Sequence, residues 1–154
     1  MRIVFDSRDR NRAAYPALNP YTINLQELTF SPTCIQYVTV DVVIVPAAVF
    51  TSFPYITLRI PELHTNGYCA TNQDIADSLQ VLTPKFIANG FAYCTPKNRI
   101  TIPGPPISRL GRVTIQFLDP NGNMINFGSD TTPPTAVDAS VQHMIHLSVE
   151  GPSE

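Results

Sequence analysis

Lysine is almost missing from this chain. Only Lys85 and Lys97 occur in 154 residues, and Asp, Glu, Lys and Arg together make up 14% of the sequence, well below the usual quarter or so. With a net charge of −2 and an isoelectric point near 5.9, the composition argues against a non-specific phosphate binder, and no direct nucleic-acid contact is expected. A surface so poor in charge is either poorly soluble alone or covered in an assembly. Tryptophan is absent, although sugar-binding platforms commonly use its ring. The three cysteines, Cys34, Cys69 and Cys94, form no CxxC pair and leave at least one thiol unpaired. They read as small apolar residues in a reducing compartment. No charged segment precedes a long apolar one, so no secretory signal is expected. The longest apolar run, residues 42–50, contains Pro46 and is far too short to cross a bilayer. Fifteen prolines spread along the chain exclude long helices.

What remains is alternation at period two. Val38, Val40, Val42 and Ile44 are expected on one face of a long strand, opposite Tyr37, Thr39 and Asp41. Similar alternation places Ile56, Leu58 and Ile60 together, then Ile100 with Ile102, then Val113, Ile115 and Phe117, and finally Ile145, Leu147 and Val149. Strands with one apolar face belong to antiparallel sheets. Asp119-Pro120-Asn121-Gly122 predicts a hairpin between residues 113–118 and 124–127, because Asn and Gly tolerate positive φ. Residues 72–80 are the only helical candidate, with Asp74 in the first turn. A Thr/Pro-rich loop is expected at residues 131–135. The expected fold is all-β: one antiparallel sandwich, a single jelly roll of about eight strands with at most one short helix. Residues 1–154 form one domain on the size prior, with residues 1–21 as a strand plus an arm.

Chemistry is sparse. His143 and His146 are three apart and face opposite ways in a regular strand, so they cannot share a metal as two evenly spaced strand histidines could. His143 is expected to face a loop and His146 to face outward. His64, Cys69 and Cys94 lack the paired spacing of a zinc site. No glycine-rich phosphate loop, GxSxG or HExxH occurs. No catalytic residue, metal or cofactor is assigned, and the chain is not expected to be an enzyme. Tyr55, Tyr68, Phe91 and Tyr93 are either strand packing or an aromatic platform for a glycan or receptor.

Charge is concentrated at one place. Of ten basic residues, Arg2, Arg8, Arg10 and Arg12 lie in the first twelve positions, interleaved with Asp6 and Asp9. Between residues 13 and 58 only Glu27 and Asp41 are charged. The arginine cluster is either a solvated turn with local pairing or an interface, where the planar guanidinium suits bidentate contact with carboxylates. The interleaved Asp6 and Asp9 would repel phosphate. The low-charge stretch likewise reads as buried strands or as a subunit contact, since interface cores are depleted in charge.

The opening, Phe5-Asp6-Ser7-Arg8-Asp9-Arg10-Asn11-Arg12 with Tyr15-Pro16 and Asn19-Pro20-Tyr21-Thr22-Ile23-Asn24-Leu25, resembles the opening of penton and minor capsid proteins of large icosahedral double-stranded DNA viruses. A second match runs from Leu110-Gly111-Arg112 through Asp119-Pro120-Asn121-Gly122 and Asn126-Phe127-Gly128 to His143-Met144-Ile145-His146-Leu147-Ser148-Val149. The family more often has Ile at the position of Phe5 and an Asn-rich spacer at Ala17-Leu18. The resemblance implies a single jelly roll that builds virions after synthesis in a host cytoplasm. Either it forms homopentamers at fivefold vertices, or it cements major-capsid trimers as a minor protein. The implied partners are copies of itself and neighbouring major and minor capsid proteins, with a vertex fibre or host receptor as a further candidate. On this reading Asp6, Arg8, Asp9, Arg10 and Arg12 form inter-subunit ion pairs. A glycan-binding module and a metal-loaded cupin-type enzyme are the rival readings.

Overall fold

A computed structural model describes residues 1–25, 33–63, 70–130 and 138–152, with Thr33 described by its backbone only. Among them are twelve strands: β1 (Arg2–Asp6), β2 (Tyr21–Asn24), β3 (Thr33–Ile35), β4 (Tyr37–Pro46), β5 (Ile56–Arg59), β6 (Gln80–Leu82), β7 (Phe86–Ala88), β8 (Phe91–Cys94), β9 (Arg99–Thr101), β10 (Ile107–Arg109), β11 (Arg112–Leu118) and β12 (Met144–Glu150). One sheet runs β1-β12-β4-β8-β7, with β9 following β8 alongside β4. A second runs β2-β11-β5-β6, and β3 pairs with β10 as a separate ribbon.

The pairing is nested. β1 pairs with β12, β2 with β11, β4 with β8 and β9, and β5 with β6, all antiparallel. First-with-last pairing of eight principal strands, divided between two sheets, is the jelly roll expected from the alternation. The two sheets share one core. Ile3, Phe5, Val38, Val40, Ile145 and Leu147 enter it from one side, and Tyr21, Leu58, Ile115 and Phe117 from the other.

One strand departs from simple alternation. Val38 and Val40 point inward, but so do Val43 and Val45, whereas Val42 and Ile44 point outward. The register explains the reversal: Val40 faces Leu147 while Val42 faces His146, so Asp41 is an extra residue on β4. A β-bulge of this kind moves every later side chain to the other face. The Asp41 carboxylate accepts a hydrogen bond from the Ser148 hydroxyl on β12, which fastens the bulge. The expected common face for Val38, Val40, Val42 and Ile44 is therefore corrected. Only the first two share it.

Turn chemistry places the remaining elements. Gly122 takes φ +83 in the Asp119–Gly122 turn, and its amide donates to the Asp119 carbonyl at 3.0 Å. The returning side of this hairpin is short, with a single bridge between Leu118 and Met124. Asn89 and Gly90, with φ of +54 and +81, form the two-residue connection between β7 and β8 that twisted hairpins favour. The helical segment at residues 72–80 is one turn, α2 (Gln73–Ala76), capped by the Asn72 side chain on the Asp74 amide at 2.8 Å. Another one-turn helix, α1 (Val49–Ser52), follows Pro46, so two short helices stand where at most one was expected.

The segment between β1 and β2 crosses from one sheet to the other, and Asn19 anchors it. Its side-chain amide donates to the Phe117 and Ile125 carbonyls at 2.7 and 2.9 Å, and its oxygen accepts from the Phe117 amide at 2.9 Å. Two of these bonds satisfy the end of β11 as a neighbouring strand would, and the third satisfies the returning segment at Ile125. The following Asn19–Pro20 peptide is cis. Replacing Asn19 by Ala orphans buried backbone groups and should cost on the order of 2–3 kcal/mol. Urea unfolding of the full chain measures it, and a loss below about 0.5 kcal/mol would contradict the anchoring role.

Candidate functional site at the N-terminal arginine cluster

The first strand forms because Ile3 and Phe5 alternate into the core while Arg2 and Val4 face water. Asp6 then ends it. Its carboxylate accepts from the Arg8 amide at 2.9 Å and caps a 3-10 turn at Ser7–Asp9. The turn sends Arg8 and Asp9 outward and folds Ser7 and Arg10 inward, where Ser7 has no exposure.

Arg10 is the centre of a buried polar node. Its Nε donates to the Tyr15 carbonyl at 2.9 Å and its Nη1 to the Ser7 carbonyl at 2.7 Å. Its Nη2 reaches the Pro16 carbonyl at 3.2 Å and the Asp130 carboxylate at 2.9 Å. Neither side chain of the Arg10–Asp130 pair is exposed. Asp130 also accepts from Gln142 Nε2 at 2.7 Å and from the Asp138 amide at 2.9 Å. Gln142 Oε1 accepts from the Ser7 hydroxyl at 2.6 Å, and the Ser7 oxygen accepts from the His143 amide at 2.9 Å. Burial alone would raise the Asp130 carboxyl, but bonds from the Asp138 amide, Arg10 and Gln142, with the Arg10 charge, hold it below its ordinary value.

His143 borders the node and continues it into the core. It is buried among Tyr21, Phe117 and Phe127, with ring centroids 5.2, 4.9 and 5.7 Å away. Its Nε2 is hydrogen-bonded to the Tyr21 hydroxyl at 2.7 Å, while Nδ1 has no partner. Burial, then the charge of Arg10, push its pKa down to about 3. The expectation of a loop-facing His143 is corrected: pairing opposite Ser7, one position before β12, turns the ring inward. His146 lies half-buried on the outer face, with Nε2 3.2 Å from the Met144 sulfur. The two rings therefore occupy opposite faces of the strand.

The arginine cluster divides. Arg10 was expected in an inter-subunit ion pair, and the structure corrects this, since its guanidinium is saturated inside its own subunit. Arg8 and Asp9 are exposed, Arg12 is partly exposed, and Asp6 is half-buried as a cap. A surface cavity of about 230 Å³ opens beside Arg8, floored by Ile44, Phe91, Tyr93 and Met144. Of the aromatic residues considered for a platform, Phe91 and Tyr93 share this outer face, and Tyr93 stacks on Phe86 with centroids 4.6 Å apart. Tyr55 precedes β5 in the other sheet. Tyr68, His64, Cys69 and the loop at residues 131–135 lie outside the described residues. Among the described residues no group of three His, Cys, Asp or Glu is placed to hold a metal ion. The low-charge stretch from residue 13 to 58 includes β4 and β5, both flanked by strands on two sides.

No family model and no curated protein matches the chain. The geometry therefore stands alone beside the resemblance read from residues. The donors of Arg10 are all bonded within its own subunit. The Cys94 thiol is buried, which pushes it up to about 12 and makes it inert.

Two outcomes follow. Arg10→Ala strands a buried carboxylate and should destabilise the fold by about 3–5 kcal/mol, whereas Arg8→Ala should fall within about 0.5 kcal/mol of the parent; chemical denaturation compares them. Acid should weaken the fold through His143 and then Asp130. An unfolded histidine binds protons below about pH 6.5, while buried His143 resists them until about 3. Its contribution is complete above pH 6.5 and is lost as pH falls toward 3, at up to about 1.4 kcal/mol per pH unit. The Asp130 contribution is present above the ordinary carboxylate range and is lost as pH falls through its lowered value. His143→Gln should flatten the dependence of Tm between pH 6.5 and 4, and an unchanged slope would contradict the assignment.

Proposed function

We propose that this chain is a structural, non-catalytic subunit of an icosahedral virion: a single jelly roll forming homopentamers at the fivefold vertices, among neighbouring major and minor capsid proteins. The observation that carries this reading is the meeting of the two segments that bear the family resemblance. Ser7 and Tyr21 from the opening segment bond His143, and Asn19 bonds Phe117, both residues of the second matched stretch, beside the buried Arg10–Asp130 pair. The resemblance thus falls on residues that close the sandwich. The nested strand pairing supports the same reading, since jelly rolls are a recurring capsid architecture.

A ring of five repeats one heterologous contact, so each subunit must offer two different flanks. Exposed Arg8 and Asp9, at the end of β1, suit one flank. Mass measurement of the full chain by native mass spectrometry tests the reading. The expected species is five times the 17.0 kDa chain, and a monomer at every concentration would contradict it. Arg8→Glu should weaken that assembly while leaving the unfolding midpoint of the subunit unchanged.

A further inference from the structure

Five large hydrophobic side chains are conspicuously exposed among the described residues, and four of them lie at two places. Met1 (60%) and Val4 (50%) flank or lie on β1, and Phe86 (52%) and Ile87 (57%) lie on β7; Met124 is the fifth. These strands are the opposite edges of one sheet, β1-β12-β4-β8-β7. Among the described residues no strand pairs with the outer side of either edge. Met1 and Val149 exchange both ladder bonds, at 2.9 and 2.8 Å, and the Ser7 amide bonds to the His143 carbonyl at 3.0 Å. Odd-numbered residues of β1 therefore face β12, and Arg2, Val4 and Asp6 direct their amides and carbonyls away from it. On β7 the two-residue turn at Asn89-Gly90 makes Ala88 and Phe91 the closing pair, which leaves the Ile87 backbone groups on the open side. Neither strand contains the proline or lysine that commonly blunts an edge.

We infer that the repeated contact between copies of this chain joins β1 of one subunit to β7 of the next. The occupant follows from direction. Five antiparallel strands separate the edges inclusively, so β1 and β7 run parallel. A copy rotated about an axis along the strands brings β7 beside the next β1 with all strands upright, and repetition closes a ring. A twofold contact would instead pair β1 with β1 or β7 with β7. The two flanks differ, as a heterologous interface requires, and both combine apolar side chains with open ladder groups. This inference rests on the pentamer reading and names its contact.

The test uses the full chain and two single variants, Val4→Lys and Ile87→Lys, both at half-exposed positions. Native mass spectrometry should show loss of the five-copy species in each, at concentrations where the parent is fully assembled, with the far-ultraviolet β spectrum retained. Mixing the two variants should restore one intact junction and give a heterodimer that neither forms alone. In the assembled parent, the Val4 and Ile87 amides should exchange with deuterium more slowly than in the diluted monomer. Five-copy rings that persist in both variants would overturn the edge contact and leave the vertex reading standing. A parent that stays monomeric would overturn both, and self-dimers of a single variant would replace the head-to-tail contact with a twofold one.

Discussion

The fold depends on a charge that is buried and fully paired. Removing Arg10 and Asp130 from water is expensive, and their attraction offsets that cost only because nearly every polar atom nearby is also bonded. Ser7, Tyr15 and Pro16 supply carbonyls, and Gln142 and the Asp138 amide complete the carboxylate's shell. The node joins parts of the chain some 120 residues apart. It fixes the end of β1, the start of the arm, the approach to β12 and Asp130 itself. Because the arm carries the chain from one sheet to the other, the node at one end and Asn19 at the other settle how the two sheets are joined.

A second constraint shapes the exterior. The bulge at Asp41 divides the outer face of the larger sheet. On one side lie Tyr37, Thr39 and Ser148, with Arg99 stacked over Tyr37 and paired with Glu150. On the other, the register aligns Asp6, Met144, Ile44, Tyr93 and Phe86 in one row across five strands. The extra residue decides which of the apolar residues after Asp41 face outward, Val42 and Ile44 in place of Val43 and Val45. The apolar half reaches both edges of the sheet, the flanks at which the proposed contact between copies would sit, and interface cores are depleted in charge.

Much of the fold was legible because period-two alternation reports which face is buried. It placed Ile100, Val113, Ile115, Phe117, Ile145, Leu147 and Val149 correctly, and the Asn121-Gly122 turn with them. It failed for Val42 and Ile44, since a bulge is set by the partner strand's register and leaves no mark in a single run of residues. The Asn89-Gly90 turn carried a readable signal that went unused. The site was less legible. A string of arginines looks alike whether a member points in or out, and what selects Arg10 is a 3-10 turn capped by Asp6 together with Asp130 and Gln142, which no local spacing reveals. His143 was hidden for the same reason, its partner Tyr21 lying on the opposite sheet.

The most direct measurement is a double-mutant cycle on Arg10 and Asp130, read by equilibrium unfolding of Arg10→Met, Asp130→Asn and the combined variant. If the buried pair ties the arm to the closing strand, the double variant should be markedly more stable than the sum of the single losses implies, because each single change leaves the other partner uncompensated. Strict additivity, with small single losses, would contradict the central place given to this pair.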